Sequence, residues 1–134
     1  MKAKYLVTVL CFVLAGCNKE LHGLTSESQG TWELVSSDGA WTGHREFQPG
    51  NGNTFSFNGN KYSQTIKTTD TTYRYSGTFI IYTGKPCDDA NEQTLIKFND
   101  SENVSNFSLA DGKLTIGTTE CIADGGSSTY RKIQ

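Results

Sequence analysis

Cysteine is the residue type with the most chemistry to offer in this chain, and it occurs at positions 11, 17, 87 and 121. A thiol can be acylated, oxidised to a disulfide or bound to a metal, and its surroundings decide which. Cys17 closes Leu14-Ala15-Gly16-Cys17, where small residues leave an extended backbone open to an enzyme beside the thiol. Ahead of it, Lys2 and Lys4 form a positive n-region and Tyr5 to Val13 an uncharged apolar run, the layout of a secretion signal. The run is too short to cross a bilayer as a helix.

The pattern resembles a bacterial lipobox, in which diacylglycerol is attached to the cysteine and a peptidase cuts before it. On that resemblance residues 1–16 are a signal peptide, Cys17 is the lipidated N-terminus, and the protein meets the membrane through this anchor. The location implied is the cell envelope, at the outer membrane, facing the periplasm or the surface; a signal cut elsewhere beside a chance cysteine is the alternative. Residues 17–28 read as a lipidated tether, polar and without sustained periodicity. Lys19-Glu20 resembles the charged signals of surface-displayed Bacteroidota lipoproteins, and a solvated linker explains these residues equally well.

Cys11 leaves with the signal, so Cys87 and Cys121 remain as a pair in an exported chain, and such a pair reads as one disulfide. Two separate thiols are the alternative. No metal is expected, because the histidines are His22 and His44 and neither stands at ligand spacing from a cysteine. Asp88-Asp89-Ala90-Asn91-Glu92 lacks the alternate spacing of a calcium loop and reads as an acidic solvated loop.

Catalytic signals are thin. His44-Arg45-Glu46 groups a base, a cation and a carboxylate, yet neighbours on extended backbone point in different directions, and a solvated loop is the expectation. With no phosphate loop and no Gly-x-Ser-x-Gly elbow, the reading is non-enzymatic, without cofactors. Asp70-Thr71-Thr72 resembles an O-glycosylation acceptor of some Bacteroidota, with Thr71 as the acceptor on a predicted exposed turn.

The elements that would position these residues are bounded by length and charge. The chain has 134 residues, and residues 29–134 allow one domain with a modest core. The signal carries two lysines and no acid, so 12 basic and 14 acidic residues become 10 and 14 in the mature chain. That balance, with no basic patch, argues against nucleic acid as a partner.

From Gly30 onward the chain is written in period two. Thr31 to Val35 alternates, Thr54 to Phe57 alternates before the turn Asn58-Gly59-Asn60, and Lys61 to Lys67 puts Tyr62, Gln64 and Ile66 on one face. Tyr73, Tyr75, Gly77, Phe79 and Ile81 then alternate along the longest strand, with Gly77 suggesting a bulge or sharp bend. Thr94 to Phe98 presents Ile96 and Phe98, and Val104 to Leu109 ends on Phe107 and Leu109. Ala110 to Lys113 is a tight turn before Leu114 and Ile116, and Ser128 to Ile133 is the last strand. No segment shows a helical stripe with start and stop signals. About eight antiparallel strands with regular turns predict an all-β barrel or sandwich.

Gly30-Thr31-Trp32-Glu33-Leu34-Val35-Ser36 is similar to the first strand of small lipocalin-like lipoproteins of Bacteroidota. The resemblance implies an up-and-down lipocalin-like β-barrel over residues 29–134, in which Trp32 closes one end and packs under Arg131 of the last strand. Both residues are structural on that reading.

On a barrel of this kind Phe55, Phe57, Tyr62, Gln64, Tyr73, Tyr75 and Phe79, with Ile66 and Ile81, would line one wall, and the first seven are the ligand-pocket candidates. Tyrosine and glutamine among apolar positions suit a cavity that orients a ligand. An eight-stranded barrel is also just narrow enough to be filled by side chains, so a cavity and a packed core stand level. The leading expectation is an anchored lipoprotein that binds a small apolar or amphipathic molecule. The alternative is an anchored structural or interaction module with a filled core that meets an envelope protein or glycan through its loops.

Overall fold

Apolar residues at every second position favour strands that bury one face, and the alternation read from Gly30 onward does so here. The structure is a computed structural model describing residues 21–99 and 101–134; the signal, Lys19-Glu20 and Cys17 lie outside the described residues. A short helix α1 (His22–Glu27) precedes nine strands. These are β1 (Gly30–Gly39), β2 (Gly43–Glu46), β3 (Thr54–Asn58), β4 (Lys61–Lys67), β5 (Thr72–Gly84), β6 (Gln93–Phe98), β7 (Val104–Ala110), β8 (Lys113–Gly117) and β9 (Gly126–Lys132).

All neighbouring strands pair antiparallel, and β9 returns to pair with β1, closing an eight-stranded up-and-down barrel. β1 is shared along its other edge: residues 30–33 pair with β3, and residues 36–39 pair with the extra strand β2. Between them, near the irregularity in the β1–β9 ladder, the Val35 carbonyl accepts from Phe47 N–H at 2.9 Å. The β7–β8 turn is the tight one expected, with Asp111 at φ 52° and Gly112 at φ 69°, the pair of positive values that matches the strand twist.

Gly30-Thr31-Trp32 has a physical reason in this closure. Gly30 has φ 113°, and a β-carbon there would overlap the Gln134 carbonyl, which accepts from Thr31 N–H at 2.9 Å. Two residues on, the buried Trp32 indole donates to the Ser28 carbonyl at 2.7 Å. Leu21 and Leu24 pack against the same core, and Leu21 N–H donates to the Ile81 carbonyl at 2.9 Å. Together they close this end of the barrel. Within the span 17–28 read as a lipidated tether, residues from Leu21 onward pack on the folded unit. Two leucines on a six-residue helix are too few to register as a periodic stripe.

The cation over Trp32 is also corrected. Register places Lys132, not Arg131, opposite Trp32, and the Lys132 ammonium lies 5.5 Å from the ring centroid. Arg131 is one residue back and faces the other side of the sheet, where its Nη2 donates to Glu33 Oε2 at 2.6 Å. Gly77 produces no bulge: the β4–β5 register runs unbroken through it. Its missing side chain instead makes room for Asn99, whose Oδ1 accepts from Thr78 N–H at 3.0 Å.

Inside the barrel Phe55 is the hub. Its ring lies 4.9 Å from Phe57, 5.6 Å from Tyr62, 5.5 Å from Phe98 and 6.0 Å from Tyr130, centroid to centroid. Phe79, Ile81, Ile96, Phe107 and Leu114 complete the buried cluster. A second buried region lies outside it. Leu95 pairs with Tyr82 and Asn106 on the outward face, yet is 0% exposed. Buried Ala90 and Thr119 come from the two loops that Cys87 and Cys121 join by a disulfide, with Cα atoms 6.2 Å apart. Across the same loops Asn91 N–H donates to Glu120 Oε1 at 3.1 Å. Asn106, the cross-strand partner of Leu95, donates to the Thr118 carbonyl at 3.1 Å, which holds the start of the bridged Cys121 loop beside this outward face.

Candidate functional site

The end opposite α1 is open, because the inward residues there are small or only half-buried. A cavity of about 230 Å³ is lined by Leu34 and Ser37 of β1, Asn53 and Thr54, residues 64–66 of β4, and Ser128 and Tyr130 of β9. Cross-strand register explains the grouping: Tyr130 faces Leu34, and Ser128 faces Ser37, on the inward side. Serine at both members of the second pair leaves space that larger side chains would fill. Asn53 is fixed at the rim, its Oδ1 accepting from Lys67 N–H at 2.7 Å and its amide donating to Asn51 Oδ1 at 3.1 Å.

Tyr130 sets the polarity of the cavity floor. Burial raises its hydroxyl above the ordinary tyrosine pKa, while the neighbouring Ser128 and Gln64 side chains pull the other way. The phenol stays protonated at neutral pH, beside an amide and a second hydroxyl. Leu34 stands cross-strand beside Tyr130 and Ile66 shares a face of β4 with Gln64, so each wall of the cavity sets hydrocarbon next to neutral polar groups.

Of the seven pocket candidates from the sequence, Gln64 lines this cavity. Phe55, Phe57 and Phe79 are buried in the aromatic cluster below it, and Tyr62 is half-buried against Phe55 and Phe98. Tyr73 and Tyr75 share a face with Ile66 and Gln64 by register, but are 49% and 50% exposed. The cause is stagger. β6 pairs with β5 only from Phe79 onward, so the first half of β5 runs past the wall with β4 on one edge alone. Thr71, the glycosylation candidate, is exposed at the neighbouring turn, where its carbonyl accepts from Thr68 N–H at 2.9 Å.

Sequence reasoning missed Leu34, Ser37, Ser128 and Tyr130 as cavity residues. Their alternation in the first and last strands was a readable signal; that these two strands are neighbours across the seam was not.

A broader, shallower cleft of about 530 Å³ lies outside, between the β1–β2 hairpin and the β8–β9 loop. It carries His44, which stands on strand β2 and not in the solvated loop expected. His44 Nδ1 lies 2.6 Å from Asp38 Oδ1, and Nε2 lies 3.7 Å from Glu46 Oε1. The Asp38 hydrogen bond, then its charge, raises the imidazole pKa, and Glu46 adds to this. Ser127, Asp38 and His44 form a row across β9, β1 and β2, with the carboxylate in the middle. A nucleophile relay needs the imidazole between acid and hydroxyl, and this order does not provide it. Among the described residues no cluster of three or more His, Cys, Asp or Glu could hold a metal, and no helix is long and apolar enough to cross a membrane.

The fold and the site define a closed antiparallel meander barrel, filled at the capped end and open at the other through an uncharged cavity. Comparison of the chain with protein-family models, curated proteins and solved structures finds no match.

Proposed function

We propose that this chain is a lipid-anchored envelope lipoprotein whose barrel binds a small molecule at its open mouth, without catalysis. The observation that carries the binding is the cavity of about 230 Å³, where Leu34 and Ile66 line the walls together with Tyr130, Gln64 and Ser128. Apolar walls with a few fixed polar groups are the usual make-up of a small-molecule site. The aromatic cluster beneath closes the depth of the barrel, so the ligand enters by the mouth and stays near it.

The anchor gives this site a direction. Cys17 is four positions before Leu21, and an extended chain advances about 3.5 Å per residue, so acylated Cys17 holds the capped end within roughly 14 Å of the membrane. The mouth then faces away from the bilayer. Support for this is the docking of Leu21 and Leu24 at the capped end.

The test is native mass spectrometry of the full protein isolated from its own envelope. A bound small molecule in the wild type that is missing from Ser128→Leu, whose longer side chain fills the cavity, is the expected result. Wild-type protein free of any adduct and not stabilised by envelope extracts would overturn the binding role. A second reading, an interaction module, draws on Trp41, which is 86% exposed at the tip of the β1–β2 hairpin. It requires that Trp41→Ala release an envelope partner that the Ser128→Leu variant retains.

A further inference from the structure

Resting on that reading, we infer that the ligand class is a neutral carbohydrate, with one sugar ring seated in the mouth cavity and the next ring laid on Tyr73 and Tyr75. Three observations point this way. First, every side chain lining the cavity is uncharged. A carboxylate or phosphate seated there would give up its hydration with no ion to replace it.

Second, the cavity is short. At about 230 Å³ it is smaller than the roughly 300 to 1,000 Å³ of drug-sized sites, and Tyr130 floors it with Phe55 edge-on to its ring at 6.0 Å. An acyl chain needs an apolar tunnel through the space those rings occupy. A single pyranose ring needs only the mouth. Its hydroxyls match the Tyr130 hydroxyl, the Gln64 amide and Ser128, which can donate or accept as the sugar requires. Its C–H face matches Leu34 and Ile66.

Third, the ligand has somewhere to continue. Ile66 pairs with Tyr73 and Gln64 with Tyr75 on one face, so the two half-exposed tyrosines extend the cavity lining outward along β5. Exposed aromatic faces on a strand with one free edge form a platform for the apolar face of a second sugar.

The experiment is ligand-observed NMR with the full lipidated protein in nanodiscs. The probes are the methyl glycosides of glucose, galactose, mannose and N-acetylglucosamine, a trisaccharide of each sugar, octanoate, octanol and inorganic phosphate. The expected result is saturable binding of at least one glycoside, abolished in both Ser128→Leu and Ser37→Leu, with each variant checked for an intact melting transition. Tyr75→Ala should weaken the matching trisaccharide by roughly tenfold and leave the monosaccharide unchanged. Binding of octanoate or octanol but no sugar, lost on plugging, would overturn the carbohydrate class and leave the binding role standing. Sugar binding that survives both plugging variants would overturn the site. No binding by any probe overturns the carbohydrate class, and the native mass spectrum then decides separately on the binding role.

Discussion

Arg131 Nη2 meets Glu33 Oε2 at 2.6 Å across the seam where the last strand returns to the first. The two residues are 98 positions apart, and the Glu33 side chain is 6% exposed beneath the loop that leads into β3. Gly50 N–H donates to the other carboxylate oxygen at 2.7 Å. One buried carboxylate thus ties together both ends of the barrel sequence and the loop at its rim.

This arrangement fixes how stability depends on acid. The Arg131 hydrogen bond chiefly lowers the Glu33 pKa, desolvation opposes it, and the Gly50 and Gly52 amides assist. A group whose folded pKa is lowered stabilises the fold above its unfolded value and loses that contribution as pH falls through the folded one. Melting temperature should therefore fall below the ordinary carboxylate range, and Glu33→Gln should flatten that decline. Arg131→Met should destabilise more than Glu33→Gln/Arg131→Met, because the single change leaves the buried carboxylate without its cation. Equal melting temperatures for the two would show the pair to be uncoupled.

His44 titrates in the opposite sense. Its folded pKa is raised by Asp38, so its contribution is present below the ordinary histidine value and is lost as pH rises through the folded one. NMR titration of the imidazole should show the raised midpoint return toward the ordinary value in Asp38→Asn. An unchanged midpoint in that variant would remove Asp38 as the cause.

The Cys87 to Cys121 bridge spans 34 residues, for which the chain-entropy relation gives about 4 kcal/mol. The double variant Cys87→Ser/Cys121→Ser should lose stability on that scale in urea unfolding. Hydrogen exchange should rise first at Leu95, whose partner Asn106 is hydrogen-bonded to the start of the bridged Cys121 loop. Protection at Leu95 equal to wild type would separate the bridge from the burial of this residue.

Phe55 and Tyr75 should part sharply. Phe55→Ala removes the hub of the aromatic cluster and should cost roughly 3 to 5 kcal/mol. Tyr75→Ala, on the exposed half of β5, should cost less than about 1 kcal/mol. Similar losses at both sites would mean that Tyr75 is packed in solution.

The sequence by itself determined the eight strands of the barrel, most of their faces and the pairing of the cysteines, but not the extra strand β2. Period-two patterning names the two faces of a strand, turn residues such as Asp111-Gly112 mark where it reverses, and Cys87 and Cys121, the pair expected to remain once Cys11 and Cys17 are set aside, form the one bridge. Neither pattern nor composition reports how far one strand runs past its neighbour. That offset left Tyr73 and Tyr75 half-exposed although they share a face with buried Phe79 and Ile81, because β6 begins its pairing only at Phe79. The same kind of distant packing buried Leu95 on the outward face, drew Leu21 and Leu24 onto the capped end, and gave Trp32 the cation of Lys132 rather than Arg131. The cavity arose where the first and last strands met across the seam. Alternation is a local property of the backbone, whereas register, closure and the space left inside follow from contacts between residues as far apart as Leu34 and Tyr130, and these exist only once the barrel has closed.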